Sequence, residues 1–166
     1  MNNILSFKRN RSTCVEQIDD ETMKSYCRLQ DTFTDAYVEI VVRLPDLEII
    51  KAKGEFTRSL RNECLIDINE SLKGVIGVRI GPGMLKIIKG LMGEKTDCKE
   101  LVFMVEECCH GIILTFTKEG LLSASKEERN KDEYYANMVK KNIRMYNRCA
   151  AFAPGSPLVE GLKPPA

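Results

Sequence analysis

The sequence has one histidine, His110, and no Cys-x-x-Cys pair in its 166 residues. Histidine-dependent catalysis would have to use that one residue, and no catalytic triad or nucleotide-binding loop is recognisable elsewhere. The missing Cys-x-x-Cys pair argues against a thioredoxin-type site and against a self-contained zinc knuckle. The common classes of small enzyme are therefore not indicated.

A large charge excess and a long apolar segment are also absent. The formal net charge is +1, whereas a nucleic-acid-binding protein normally has a basic excess or a basic face, so no nucleic-acid partner is expected. The longest apolar segment, 101–116, is interrupted by Glu106, Glu107 and His110 and is shorter than the roughly 20 residues of a membrane span. The first residues show no signal-peptide pattern. We therefore expect a cytoplasmic protein without a membrane segment.

The sequence is instead rich in apolar residues and cysteine. Hydrophobic residues make up 43% of the chain and charged residues 30%, which is typical of a globular protein with a real core. The odd number of cysteines and their irregular spacing do not suggest a disulfide framework, so most are expected to be buried free thiols. The cysteines are Cys14, Cys27, Cys64, Cys98, Cys108, Cys109 and Cys149.

Four segments predict an antiparallel β-meander in the first part of the chain. In the clearest one, 36–44, Val38, Ile40 and Val42 alternate with more polar residues, as expected for a strand with one buried face. Short turns between the segments favour antiparallel pairing. The other three segments are 11–18, 22–29 and 47–56.

Three helices are predicted after the strands, packed on one face of the sheet. They cover 63–72, a segment from Gly81-Pro82 to Gly93, and a segment from Asp97 to about Gly120. Proline suits the first position of a helix and glycine its end, and the 97–100 segment has the spacing of a capping box. The predicted fold class is α+β.

The C-terminal part is predicted to be separate. Residues 123–152 combine a charged segment with an amphipathic helix, and residues 153–166 are too rich in proline to be helical. We therefore expect an α+β domain at 1–122, a C-terminal helix at 123–152 and an extended tail at 153–166. The helix and the tail are the expected contacts for a protein partner.

Cys64 and Cys98 are the candidate site residues with the clearest chemistry. Each lies in the first turn of a predicted helix, where unpaired backbone N–H groups favour the thiolate form that binds metals. If the two helices pack side by side, the thiols can converge, and Asp97 and Asp35 are the acids expected to join them. Otherwise the cysteines are unrelated buried thiols, Asp97 caps a helix and Asp35 belongs to a turn.

Two other motifs carry weaker signals. Cys108-Cys109-His110 resembles a metal triplet, but neighbouring residues of a helix point about 100° apart and cannot easily share one ion. A solvent-facing or core imidazole is expected at His110 rather than a general base. Gly81-Pro82-Gly83 lacks the established phosphate-loop patterns, so it is interpreted as a turn into a helix.

Several of these motifs together resemble a known bacterial family. The cysteine near 64, the run Ile80-Gly81-Pro82-Gly83-Met84, and Asp97-Cys98-Lys99-Glu100-Leu101 resemble DUF2889, a bacterial family catalogued as a domain of unknown function. Its members typically read Gly-Cys-Thr-His-Leu in the last motif, so Glu100 stands where the family has histidine. If that histidine binds a metal, this chain has replaced it with a carboxylate or has lost the site.

A second similarity concerns architecture. Iron–sulfur scaffold proteins of the NifU N-terminal type also combine a strand meander with cysteines at helix starts. That resemblance implies that Cys64 and Cys98 correspond to two cluster ligands, Asp35 to the aspartate beside a third, and Asp97 to a ligand before the last cysteine. The third cysteine is replaced by Phe33 or Thr34. A mononuclear zinc or iron site is therefore more compatible than a transferable cluster.

The sequence leaves three functions open. The first is a metal- or iron–sulfur-linked accessory protein that acts with a partner enzyme. The second is a small enzyme that binds a metabolite between sheet and helices. The third is a non-catalytic subunit or adaptor without a metal. The first and third are compatible, and their combination is the prediction.

Overall fold

The computed structural model describes residues 6–65, 67–81, 83–147 and 149–163. Its sheet has four antiparallel strands in chain order, and each boundary lies within two residues of the predicted one. The α+β fold and the meander are therefore confirmed. The strands are β1 (Arg9–Gln17), β2 (Thr22–Asp31), β3 (Asp35–Arg43) and β4 (Glu48–Arg58).

The core lies on one face of this sheet because the apolar residues of β3 alternate with more polar ones. Val38, Ile40 and Val42 are fully buried. Val38 lies opposite Cys27 of β2 and opposite Gly54 of β4, so the three strands present their inward residues in register. A shift by one residue would turn this apolar set towards solvent, which is why the hydrophobic pattern sets the register.

The helical part begins differently from the prediction. The segment expected to be one helix at 63–72 is a 3₁₀ turn, Asn62–Leu65, followed by a short helix, α1 (Ile68–Lys73). Asp67 starts α1 because its side chain accepts a hydrogen bond from the backbone N–H of Glu70 at 3.2 Å. Cys64 therefore belongs to the 62–65 turn and not to the first turn of an α-helix.

The next two helices agree with the prediction in place and type. They are α2 (Met84–Gly93) and α3 (Lys99–Leu122). Gly83 precedes α2 with a positive φ of 78°, a conformation that glycine adopts without steric cost. Pro82, which was predicted to start this helix, lies outside the described residues.

Close contacts show that α1 and α3 cover the same face of the sheet. A Cβ added at Gly54 of β4 would lie 3.0 Å from Leu72 of α1. A Cβ added at Gly111 of α3 would lie 3.0 Å from Val15 and 3.1 Å from Thr13, both on β1. The two glycines therefore allow the helices to approach the strands closely.

The chain divides into two compact units, Met1–Thr115 and Phe116–Ala166. The division lies inside α3, earlier than the expected boundary after residue 122. The second unit contains α4 (Lys126–Arg129), α5 (Asp132–Lys141) and three 3₁₀ turns at Ile143–Met145, Ala150–Phe152 and Pro157–Val159. Within the described residues, no helix is both long enough and apolar enough to cross a bilayer.

The proline-rich tail differs from the extended segment expected. Phe152 and Val159 are buried with Val139 of α5 in a small core. Proline cannot continue an α-helix, but its fixed φ suits the first position of a turn, and Ser156 caps that turn by accepting a hydrogen bond from Leu158 N–H. The apolar side chains of the segment are therefore buried against α5 instead of being left in solvent. Pro164 and Pro165 lie outside the described residues.

Candidate metal centre

Cys64 and Cys98 are bonded to each other. Their Cα atoms are 5.1 Å apart although they are 34 positions apart in sequence. Both residues are buried, with exposed fractions of 1% and 0%. The predicted convergence of the two sulfurs is confirmed, but the bond between them was not predicted from the sequence.

The two cysteines are held by different kinds of backbone. Cys64 donates its N–H to the carbonyl of Arg61 at 3.2 Å, within the short 62–65 turn. Cys98 directly precedes α3, and its carbonyl accepts the N–H of Val102 at 3.3 Å. The N–H of Cys98 donates to the hydroxyl oxygen of Thr96 at 3.1 Å. Only Cys98 therefore lies at the start of an α-helix, where the helix dipole favours an anion.

The carboxylate nearest to the sulfurs belongs to Glu100. Its Oε2 atom lies 3.8 Å from Sγ of Cys64 and 4.0 Å from Sγ of Cys98. One ligand atom from each of these three residues fits within a group whose members are all within 4.8 Å of one another. In the described part of the chain, the Glu100 carboxylate has no ion pair, and its neighbours at these distances are the two bonded sulfurs, which have no proton to donate. The arrangement can hold a metal ion when the two cysteines are reduced.

The two aspartates expected at this site lie elsewhere. Asp35 begins β3, and its carboxylate accepts hydrogen bonds from Gln30 at 3.2 Å and Arg28 at 3.5 Å. Asp97 is exposed and, together with Lys89 and Lys99, lines an open cleft of about 420 Å³. Neither aspartate belongs to the group of three ligand atoms. Asp97 does not begin the helix either, because α3 starts at Lys99.

The Cys108-Cys109-His110 segment has a different environment. Both cysteines are fully buried in the middle of α3, and Sγ of Cys108 lies 3.7 Å from the carbonyl oxygen of Val38. Burial raises the pKa of Cys108, and burial together with the nearby Glu106 carboxylate raises the pKa of Cys109 to about 12. The His110 side chain is 41% exposed, with Nδ1 3.7 Å from Oε1 of Glu107. Both thiols therefore remain protonated at neutral pH.

Glu100 was not expected among the ligands from the sequence. Its signal in the sequence was the predicted resemblance to DUF2889, which implies that Glu100 stands at the position of a histidine. The capping-box interpretation pointed to a different role, in which its side chain would bond to its own helix start. The carboxylate is seen to face two sulfurs only in the structure, which places Cys64 beside it.

Comparison with protein-family models, with curated proteins and with solved structures found no significant match. The resemblances to DUF2889 and to the NifU-type scaffolds therefore remain predictions. The geometry of the site itself is the basis for assigning a function.

Proposed function

We propose that this chain is a metal-binding accessory protein, which holds one thiophilic ion, zinc or iron, through Cys64, Cys98 and Glu100 and acts with a protein partner. The observation that carries the proposal is the meeting of two sulfurs and one carboxylate oxygen within 4.8 Å. The fold builds this set, since the two cysteines are 34 positions apart. Closeness in sequence explains why Cys98 and Glu100 lie near each other, but it does not explain the position of Cys64.

The donor set suits a single ion better than a cluster. Thiolates bind zinc and iron well, and zinc accepts sulfur and carboxylate ligands in a tetrahedral arrangement. An iron–sulfur cluster needs about four protein ligands, mostly thiolates, and the described residues bring two sulfurs together here. Three protein ligands leave one tetrahedral position for water or for a ligand from the partner, which is an arrangement suited to transferring an ion.

Metal binding requires the reduced form of the site. A sulfur that is bonded to another sulfur is no longer a thiolate, and the thiolate is the form that binds metals. The cytosol keeps thiols reduced, and we propose that the protein acts there. Reduction frees both sulfurs beside a carboxylate that already faces them.

Glu100 supplies the third ligand in this proposal. It stands where the resembling family has histidine, and both residue types are established zinc ligands. A carboxylate adds a negative charge next to two thiolates, so the site favours a divalent cation over a neutral ligand. The replacement of histidine thus changes the donor atom and keeps a metal-binding side chain.

The test is metal analysis of untagged protein purified under reductant and without oxygen. We expect about one zinc or iron ion per chain by elemental analysis, and a visible charge-transfer band if the ion is iron. Loss of an outer-shell partner alone typically costs about 10–100-fold in metal affinity. Cys64→Ser and Cys98→Ser should therefore each cost at least about 100-fold, and Glu100→Gln at least about tenfold.

Matched controls come from the exposed cysteines. Cys14 and Cys149 are exposed free thiols, so Cys14→Ser and Cys149→Ser should bind the ion like the unmodified chain. Circular dichroism of each variant reports whether it is folded. A reduced, folded, unmodified protein that takes up neither zinc nor iron would refute the proposed function.

The proposed contact for the partner is the second unit, Phe116–Ala166, which includes the helix and tail expected to serve this role. Leu122 exposes 65% of its surface there. Truncation after Ala151 is a poor test because it removes Phe152 and Val159 from the core of this unit. Leu122→Ser in the full chain should instead reduce co-purification of the partner enzyme while metal content stays unchanged, and an unchanged yield of partner would count against this contact.

A further inference from the structure

We propose a second activity for the same cysteines: Cys64 and Cys98 form a reversible dithiol–disulfide couple that exchanges with low-molecular-weight disulfides, and formation of their bond releases the ion. The release of the ion rests on the proposed function. The redox exchange does not, because it needs only the two cysteines and a small disulfide.

The position of the Glu100 carboxylate carries this inference. An ionised carboxylate can only accept hydrogen bonds, yet its Oε2 atom faces two sulfurs, at 3.8 and 4.0 Å, that have no proton while they are bonded. In the described residues it has no other partner. Glu100 is only partly buried, so water also reaches this residue. On the side of the sulfurs, a thiol proton or a metal ion is the partner that suits the oxygen, and both exist there only when the bond is broken.

The other cysteines do not compete for this role. Cys27, Cys108 and Cys109 are buried, and burial raises the pKa of each thiol, so that the reactive thiolate is scarce. Cys14 and Cys149 are exposed and unbonded. Among the described residues, Cys64 and Cys98 are the pair whose sulfurs and a carboxylate oxygen all lie within 4.8 Å of one another.

The exchange balances in two steps. One cysteine thiolate attacks a sulfur of the small disulfide RSSR, the S–S bond of RSSR breaks, and one RS⁻ leaves. The other cysteine thiolate then attacks the mixed disulfide, the Cys64–Cys98 bond forms, and the second RS⁻ leaves. The cysteine pair loses two electrons and RSSR gains them, while two protons from solvent convert both RS⁻ to RSH. The divalent ion dissociates because neither sulfur remains a thiolate.

The geometry also indicates how a small disulfide reaches the sulfurs. Both sulfurs are shielded in the closed structure, so a small disulfide reaches them only after local opening. Cys98 is anchored at the start of the 24-residue α3, whereas Cys64 belongs to the four-residue 62–65 turn. The turn is the element that opens with less loss of structure. Opening of the turn would uncover the sulfurs only partly, so large disulfides should react more slowly than small ones.

The test uses the full chain with Cys14→Ser and Cys149→Ser, reduced and loaded with Zn²⁺ in the absence of oxygen. Oxidised glutathione is added, released zinc is followed with a chromogenic chelator, and the new bond is located by mass spectrometry after alkylation of the remaining thiols. We expect zinc release and Cys64–Cys98 bond formation in equal amounts. A dithiol reductant with added Zn²⁺ should reverse both.

Different outcomes would overturn the release of the ion, the redox exchange or the proposed function. A bond that forms while zinc stays bound overturns the release of the ion, and a pair that stays reduced in excess oxidised glutathione overturns the redox exchange. Reduced protein that binds neither zinc nor iron refutes the proposed function, and with it the release step. The exchange is still decided in that case, by mass spectrometry of the metal-free protein.

Glu100→Gln tests the part played by the carboxylate without removing a cysteine. A neutral amide can donate a hydrogen bond to a bonded sulfur, so the glutathione ratio at which half of the pair is bonded should shift towards the disulfide, by about three- to tenfold. Asp97→Asn is the matched control because Asp97 adjoins Cys98 but is exposed and outside the group, and it should leave that ratio unchanged. Equal glutathione ratios for Glu100→Gln and Asp97→Asn would show that the Glu100 carboxylate does not affect the dithiol–disulfide couple.

Discussion

The start and the middle of α3 both carry buried cysteines, and the two places differ in chemistry. Cys98 at the start lies against a second sulfur and a carboxylate. Cys108 and Cys109, about three turns further along, are fully buried, and Sγ of Cys108 lies 3.7 Å from the carbonyl oxygen of Val38 in the sheet. The pKa of each is raised by burial. Cysteines that are equally buried thus have different surroundings, because different groups face their sulfurs.

The backbone contributes to this difference. The first turn of a helix has N–H groups without an intrahelical partner and a partial positive charge, both of which favour a thiolate. In the middle of a helix the N–H groups are already bonded within the helix, so a buried thiol gains no such support. Two experiments test this contrast between the two parts of α3, and a third tests how closely the middle of α3 approaches the sheet.

The largest effect concerns the stability that the Cys64–Cys98 bond provides. Closing a loop of 34 positions should stabilise the metal-free protein by about 4 kcal/mol, because it restricts the unfolded chain. Urea unfolding of the protein with and without reductant measures this difference. Cys108→Ala should keep the same difference, since Cys108 is unbonded. Equal midpoints with and without reductant would contradict the assignment.

The second effect is a loss of stability in alkali from the middle of α3. The pKa of Cys109 in the folded protein, about 12, lies above the reference value of 9.0. A raised thiol pKa contributes stability that is complete below about pH 9 and is lost as the pH rises towards 12. The slope should reach about 1.4 kcal/mol per pH unit for each such thiol.

The measurement is urea unfolding of the reduced protein at several values between pH 8 and about pH 11. Cys109→Ala should make the decline less steep. The tyrosine Tyr37, whose pKa is raised by burial and by its hydrogen bond to Glu39, adds a similar decline to both proteins and cancels in the comparison. Identical slopes for the variant and the unmodified protein would show that Cys109 is not buried as described.

The smallest effect distinguishes two glycines of α3. Alanine at Gly111 would place its Cβ 3.0 Å from Val15 and 3.2 Å from the Ser25 hydroxyl oxygen, whereas alanine at Gly120 would meet nothing within 4 Å. Gly120→Ala should stabilise the protein by up to about 1 kcal/mol through helix propensity. At Gly111 overpacking exceeds that gain, so Gly111→Ala should destabilise it by about 1 kcal/mol. Thermal unfolding of both variants checks the opposite signs, and a shared sign would contradict the close approach of α3 to β1.

The parts of the structure that the sequence predicted well depend on neighbouring residues. The alternation in 36–44 requires only that adjacent side chains of a strand point to opposite faces, and this is a local property of the backbone. The buried stripe that includes Leu101 and Cys108 follows in the same way from helix geometry. The 62–65 turn was missed because the helical pattern of 63–72 looks continuous in the sequence. Asp67 interrupts it by capping α1, and that hydrogen bond forms only when the backbone N–H of Glu70 is in place.

The site was predicted only in part, for a related reason. Cys64 and Cys98 could be selected as candidates by position, but the third group could not. Asp97 is next to Cys98 in sequence and still faces solvent, while Glu100 turns its carboxylate towards Cys64. The direction of a side chain at a helix start depends on what packs against it, so spacing could not distinguish between these two acids.

Local sequence was sufficient for the four strands, the places of α2 and α3 and the apolar face of the sheet, because hydrophobic periodicity acts over a few residues. Only the assembled fold shows that two cysteines 34 positions apart are bonded, that Glu100 faces both sulfurs, and that Phe152 and Val159 bring the tail onto α5. These contacts join segments that are distant in sequence. They form only when burial of apolar surface outweighs the entropy of ordering those segments, and that balance belongs to the whole fold.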